Sequence, residues 1–139
     1  MMQTTTTIPQ VSLSSMNDIH YEEVLLIEKL LEEIKQERSP ETLSVSFDAI
    51  LEHMQAHFAS EEMMMQEAQY PSFRMHKADH DKILQETRYA EMEWRNRKDV
   101  DALKEYFEEE IITWLDQHIK AMDTPTSDFL MQFERYKAF

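Results

Sequence analysis

The chain has 139 residues and a formal charge of −14, and it contains neither glycine nor cysteine. That length supports one domain with one core, and the negative balance argues against nucleic acid or an anionic membrane surface as a partner. Without glycine there is no phosphate-cradling loop, and without cysteine there is no iron–sulfur ligation, thiolate catalysis or disulfide.

Residues 1–12 read as a flexible polar leader. The stretch Met1–Gln10 carries no basic residue and no apolar segment, so it does not read as a signal peptide. The absence of glycine, together with abundant Glu, Leu, Met, Ala and Lys, makes an all-helical chain the simplest expectation. A first helix is expected from about Asn17, as N-cap, to Arg38, with His20, Val24, Ile27, Leu31 and Ile34 along one stripe. Ser39-Pro40 stops it and opens a second helix, serine as N-cap and proline in the first turn, running to about Gln66. Its inner stripe reads Phe47, Ile50, Met54, His57, Glu61 and Met64. Tyr70-Pro71-Ser72 breaks the chain before a third helix, Phe73 to Asn96, whose stripe carries His76, His80, Ile83 and Thr87. A fourth covers Asp99 to Met122, with Leu103, Phe107, Ile111, Leu115 and His118 facing inward. Thr124-Pro125 starts a short amphipathic piece within residues 124–139, bearing Phe129, Leu130, Phe133 and Tyr136, and this stripe is expected to pack on the bundle or on a second copy. The fold class is therefore all-α: an up-down-up-down four-helix bundle over residues 13–123 with a short additional C-terminal helix. No apolar run approaches the roughly 18 residues of a membrane span, and a cytoplasmic home fits.

The histidines carry the chemistry. His57 and Glu61 are four apart, as are His76 and His80; His20 stands alone upstream, and His118 precedes Asp123 by five. Positions i and i+4 share one helix face, and the alternating helix directions bring His20, Glu61, His76 and His118 to the same end of the bundle. A lone inward histidine is more often a satisfied core residue, and single pairs arise by chance; His53, one turn before His57 but off its stripe, reads as a flank or surface histidine, with a role behind the ligands the less favoured reading. The combination is different, because burying so many titratable groups without a metal would leave costly unsatisfied atoms. Seven nitrogen and oxygen donors exceed one tetrahedral zinc and suit two metals sharing carboxylates. Ligand chemistry is compatible with iron and leaves manganese and zinc open. From His118, Asp123 is about 140° round an ideal helix, so the helix must end or loosen there.

These residues resemble the bacterial hemerythrins, non-haem di-iron oxygen-binding bundles. The resemblance covers about residues 13–123 and rests on Asn17-Asp18-Ile19-His20, on His57-Phe58-Ala59-Ser60-Glu61-Glu62, on Tyr70-Pro71 with His76-Lys77-Ala78-Asp79-His80, and on Trp114-Leu115-Asp116-Gln117-His118-Ile119 with Asp123. It implies one iron on His76, His80 and His118 and a second on His20 and His57. Glu61, Asp123 and an oxo or hydroxo group would bridge the two. The resemblance further implies that dioxygen is bound reversibly, as hydroperoxide on the iron with two histidines, in a pocket that Leu115 and Ile119 help to wall. The chain departs from the family at Asn17, where an aspartate is usual, and in lacking an N-terminal tryptophan.

A carrier or store is the expected function, with an oxygen-receiving protein as a partner to look for and a monomer or weak dimer as the assembly. An oxygen, redox or nitric oxide sensor is the alternative, although no output domain accompanies the bundle. A di-iron oxidase or peroxidase fits less well, since those bundles use Glu-x-x-His pairs, which this chain lacks. The dipeptide His80-Asp81 has no partners supporting a phosphohydrolase.

Overall fold

The structure, a computed structural model, describes residues 6–133. Helix α1 spans Ser14–Lys35, α2 Pro40–Glu67 and α3 Phe73–Arg97. The fourth rod is a single helical run with two widened turns: α4 Val100–Glu105, π1 Tyr106–Ile111, α5 Ile112–His118, π2 Ile119–Asp123 and α6 Thr124–Leu130. Each helix packs on its neighbours in sequence, and the fourth closes the ring against the first. The all-α bundle expected from the sequence is the fold.

Local chemistry explains most of the boundaries. Ser39 accepts a hydrogen bond from the Thr42 amide with Pro40 in the first turn, as the serine–proline pair predicts. Asp99 caps the fourth rod through the Ala102 amide. The first helix starts at Ser14 and not at Asn17. Asn17 sits inside it and clamps the preceding chain instead: its Oδ1 accepts from the Val11 amide at 2.9 Å and its Nδ2 donates to the Val11 carbonyl at 2.8 Å. Residues 11–13 are consequently held against the bundle, with Val11 and Leu13 buried and the Leu13 amide donating to Ser127 Oγ.

Three helix ends turn through left-handed geometry, and without glycine Glu37, Gln69 and Lys98 adopt it, with φ of 57°, 56° and 51°. A side chain raises the energy of that conformation, which glycine adopts freely. Glu37→Gly is expected to stabilise the fold by about 0.5–1 kcal/mol, the relief of strain exceeding the extra entropy of the unfolded chain. Urea unfolding measures it; an unchanged or lower midpoint would mean that no strain resides there.

The widened turns of the fourth rod answer to its sequence. Leu103, Phe107, Ile111 and Leu115 follow one another at steps of four, and each step overshoots a full α-turn by about 40°, so a regular helix would carry Leu115 about 120° off the stripe. All four are buried. Turns closed by i→i+5 bonds absorb the drift. At π2 the Thr124 amide bonds the Ile119 carbonyl, five residues back. Thr124-Pro125 therefore does not end the rod; α6 continues it, and Leu130 at its close is fully buried.

Two apolar clusters fill the bundle. One, around Phe47, Ile50, Ile83, Trp94 and Phe107, fills the bundle beyond the candidate ligands and reaches them through Phe58. The other joins Val11, Leu13, Met16 and Val24 to Leu115, Ile119 and Leu130. Phe129 meets Tyr70 and Phe133 with ring centroids 5.1 and 5.6 Å away, so the described part of the C-terminal stripe packs on its own bundle; Tyr136 lies outside the described residues. Among the described residues no helix is long and apolar enough to cross a membrane.

Candidate metal centre

All seven side chains singled out in the sequence converge between the helices, and all are buried: His20 from α1, His57 and Glu61 from α2, His76 and His80 from α3, His118 from α5 and Asp123 from π2. The widened turn makes the last of these possible, since a five-residue offset returns to one face only where the turn is closed five residues on. Atoms of Glu61, His76, His80, His118 and Asp123 form one group of donors within mutual reach, and His20, His57 and Glu61 form another.

The carboxylates lie between the groups. Glu61 Oε2 is 2.6 Å from His57 Nε2 and 3.8 Å from His20 Nε2, while Oε1 is 3.2 Å from His80 Nε2 and 3.5 Å from His76 Nε2. Asp123 repeats the division. Its Oδ2 is 3.0 Å from His20 Nε2, and its Oδ1 is 3.1 Å from both His76 Nε2 and His118 Nε2. Each carboxylate thus offers one oxygen to a two-histidine side and the other to a three-histidine side.

The donor atoms fit a bound cation. Buried and without hydrogen-bond partners among the described residues are His20 Nδ1 and Nε2, the Nε2 atoms of His76, His80 and His118, Glu61 Oε1 and both oxygens of Asp123. Burial of that kind is costly unless another group satisfies the atoms. Imidazole and carboxylate donors suit iron, manganese or zinc.

Four of the five imidazoles are oriented from behind. His57 Nδ1 lies 3.2 Å from Glu23, His80 Nδ1 2.9 Å from Glu62 and His118 Nδ1 2.6 Å from Asp79. His76 Nδ1 lies 2.8 Å from Thr126 Oγ1, whose own hydrogen goes to the Met122 carbonyl. Carboxylates only accept, and this threonine has spent its donor, so in all four rings Nδ1–H donates outward and Nε2 faces inward. Phe58 stacks on His80 at 3.9 Å and Trp114 on His118 at 4.4 Å, fixing two ring planes.

Glu23, Glu62, Asp79 and Thr126 were not picked out from the sequence. Glu62 and Asp79 each stand next to a candidate ligand, but a residue one step on projects about 100° round the helix, toward a neighbour. Each therefore serves a histidine on another helix, and no spacing within one helix announces that. His53 is a flank histidine, half-buried, with Nδ1 3.1 Å from Glu23.

Charge coupling in the cluster is strong. Burial alone would raise Glu61, but His57, His76 and His80 hold its carboxyl well below the usual range. Asp123 is likewise held far down by His118, His20 and His76, against burial and Glu61. Burial works to lower His76, yet Asp123 and Glu61 lift it to about 9. His57 is raised well above its usual value by Glu61 and Glu23, again against burial. Two surface clefts, about 890 and 1000 Å³, open beside the fourth rod, against α3 and α1 respectively, and no candidate ligand lines either.

Helix order, donor set and their division between two carboxylates describe a four-helix bundle with a buried donor cluster able to hold a cation, and comparison with known proteins gives the class. Residues 13–125 match the hemerythrin HHE cation binding domain, and the chain belongs to that family. It is similar to a bacteriohemerythrin of Aquifex aeolicus (strain VF5), 27% identical over 115 residues that cover 83% of this chain and 87% of the relative. A bacteriohemerythrin of Ralstonia nicotianae (strain ATCC BAA-1114 / GMI1000) is 32% identical over 88 residues, 63% of this chain and 62% of the relative. No solved structure gave a significant match.

Proposed function

We propose that this protein binds dioxygen reversibly at a pair of non-haem iron ions, as a carrier or store. In this reading His76, His80 and His118 hold one ion and His20 and His57 the other, with Glu61 and Asp123 spanning both. The observation that carries it is the division of each carboxylate between the two histidine groups, Oε2 and Oδ2 toward one, Oε1 and Oδ1 toward the other. Two irons held there would lend a pair of electrons to dioxygen and recover them on its release.

The chain's own residues supply the rest. The two-histidine side has fewer imidazoles and so has room for a further ligand. It also faces the apolar cluster: Met16 and Val24 lie one turn to either side of His20, and Leu115 and Ile119 close the cluster from the fourth rod. Those walls carry no proton to give, and they exclude water, which favours release of dioxygen over its chemical conversion. Glu23, Glu62, Asp79 and Thr126 keep four rings turned so that Nε2 points inward. Binding without turnover is the activity this arrangement supports best.

The test is an anaerobic, ferrous-loaded sample exposed to air and then degassed while its visible spectrum is followed. A band that appears with air and disappears on degassing is expected; irreversible bleaching to the ferric spectrum in one cycle would favour an oxidase. Leu115→Ala, by opening the wall to water, is expected to shorten the lifetime of the oxygenated spectrum about tenfold or more. An unchanged lifetime would reduce Leu115 to core packing.

A further inference from the structure

We infer that His53 is a positioning residue for the metal centre, acting through Glu23 on His57. The inference rests on the proposed ligand role of His57, but its geometry stands independently. Glu23 is buried, and a single oxygen of its carboxylate, Oε1, lies 3.1 Å from His53 Nδ1 and 3.2 Å from His57 Nδ1. The two histidines are one turn apart on α2, and Glu23 comes across from α1, three residues after His20. One carboxylate oxygen therefore ties the two helices together at the level where His20 and His57 meet edge-on, their ring centroids 5.3 Å apart.

A glutamate side chain has three rotatable bonds, and one N–H donor does not fix it. Two donors on the same oxygen, from rings inclined at 60° with centroids 6.2 Å apart, set its position in two directions. The outer end of His53 is held in turn, Nε2 lying 3.2 Å from Oε1 of the exposed Glu22. The chain Glu22–His53–Glu23–His57 thus runs from the surface to a candidate ligand. A comparable backing occurs behind His80, where Lys77 Nζ lies 3.8 Å from the Glu62 that holds the ring. The Glu23 contact needs only the hydrogen on His53 Nδ1, which either protonation state can carry; the Glu22 contact needs a second hydrogen on Nε2 and so belongs to the doubly protonated ring. Consistent with both contacts, Glu23 is pulled down to about 2 against the effect of its burial, by His57 and His53.

Positioning predicts a specific pattern in two variants. His53→Leu removes the donor, whereas His53→Asn keeps an N–H near the same place. In metal-free protein, proton NMR of the His57 Nδ1–H should show faster exchange with water in His53→Leu and wild-type behaviour in His53→Asn. In iron-loaded protein, release of iron to a ferrous chelator should quicken about tenfold in one of its two phases in His53→Leu, with the asparagine variant restoring the slow rate. Metal-free melting temperatures report on any general loss of packing. Equal release rates and an unchanged His57 resonance in His53→Leu would overturn the inference and leave His53 as a peripheral ion pair. So would equal losses in both variants, because packing and not the N–H would then be the cause. Should the wild-type chain fail to take up two irons, the proposed function falls, and the metal-free resonance still decides the role of His53.

Discussion

His76→Ala is expected to lower bound iron from two ions per chain to one or none, with an affinity loss above about a hundredfold at the three-histidine side. Loss of a group that merely orients a ligand costs about 10–100-fold, and His76 is proposed as a ligand itself. Its Nε2 faces one oxygen of each carboxylate, 3.1 Å from Asp123 Oδ1 and 3.5 Å from Glu61 Oε1, so its removal also unsettles both spans. Thr126, whose hydroxyl holds the back of the ring, would lose the N–H it accepts from and keep only the Met122 carbonyl. Because bound metal stabilises only the folded chain, the iron-induced rise in melting temperature should shrink in parallel. His53→Ala, by contrast, should keep both ions at equilibrium while releasing one of them faster. Metal analysis after desalting decides the matter: one tightly held ion per wild-type chain, or unaltered iron in His76→Ala, would sink the two-ion assignment.

Iron binding should strengthen steeply with pH while the metal-free fold weakens. In the metal-free cluster His76 is lifted to about 9 and His57 is raised well above its usual value. Groups raised in this way stabilise the fold fully below their unfolded value of about 6.5, and that contribution is lost as pH rises through the folded value. The carboxylates act in the opposite sense. Glu61 and Asp123 are held down, and Glu23 sits at about 2, so their contribution is present above about pH 4.5 and is lost as pH falls through the folded values. Metal-free protein should therefore be most stable between about pH 4.5 and 6.5. A metal needs neutral imidazoles, so binding must displace protons, and affinity should rise roughly tenfold per pH unit for each proton displaced, up to about pH 9. Melting curves of metal-free and loaded protein from pH 5 to 8.5 should diverge as pH rises. A gap independent of pH would mean that the imidazoles are already neutral without metal.

Much of this protein is decided by spacing within single helices, and such spacing is legible in a sequence. Ser39-Pro40 marks a helix start because capping is a contact three residues long. His57 with Glu61 and His76 with His80 are legible as pairs because four residues make about one turn. Even the widened turns leave a trace, in the repeated steps of four from Leu103 to Leu115 and the step of five from His118 to Asp123. Asn17 misled for a related reason: asparagine is a good cap, but Val11 offers it a backbone amide and carbonyl that only the folded leader brings near. The contact of His53 with Glu23 was not legible because that partner lies on another helix.

The sequence by itself determined the all-α class, the alternation of helix direction, and the common level of seven donors, since each depends on periodicity and on turns between adjacent segments. The tertiary structure alone decided which oxygen of Glu61 and Asp123 faces which histidine group, which acid stands behind which ring, and that α6 and residues 11–13 together close the apolar end. Those facts depend on how neighbouring helices are rotated about their axes, which side-chain packing across the whole bundle sets and no local pattern encodes.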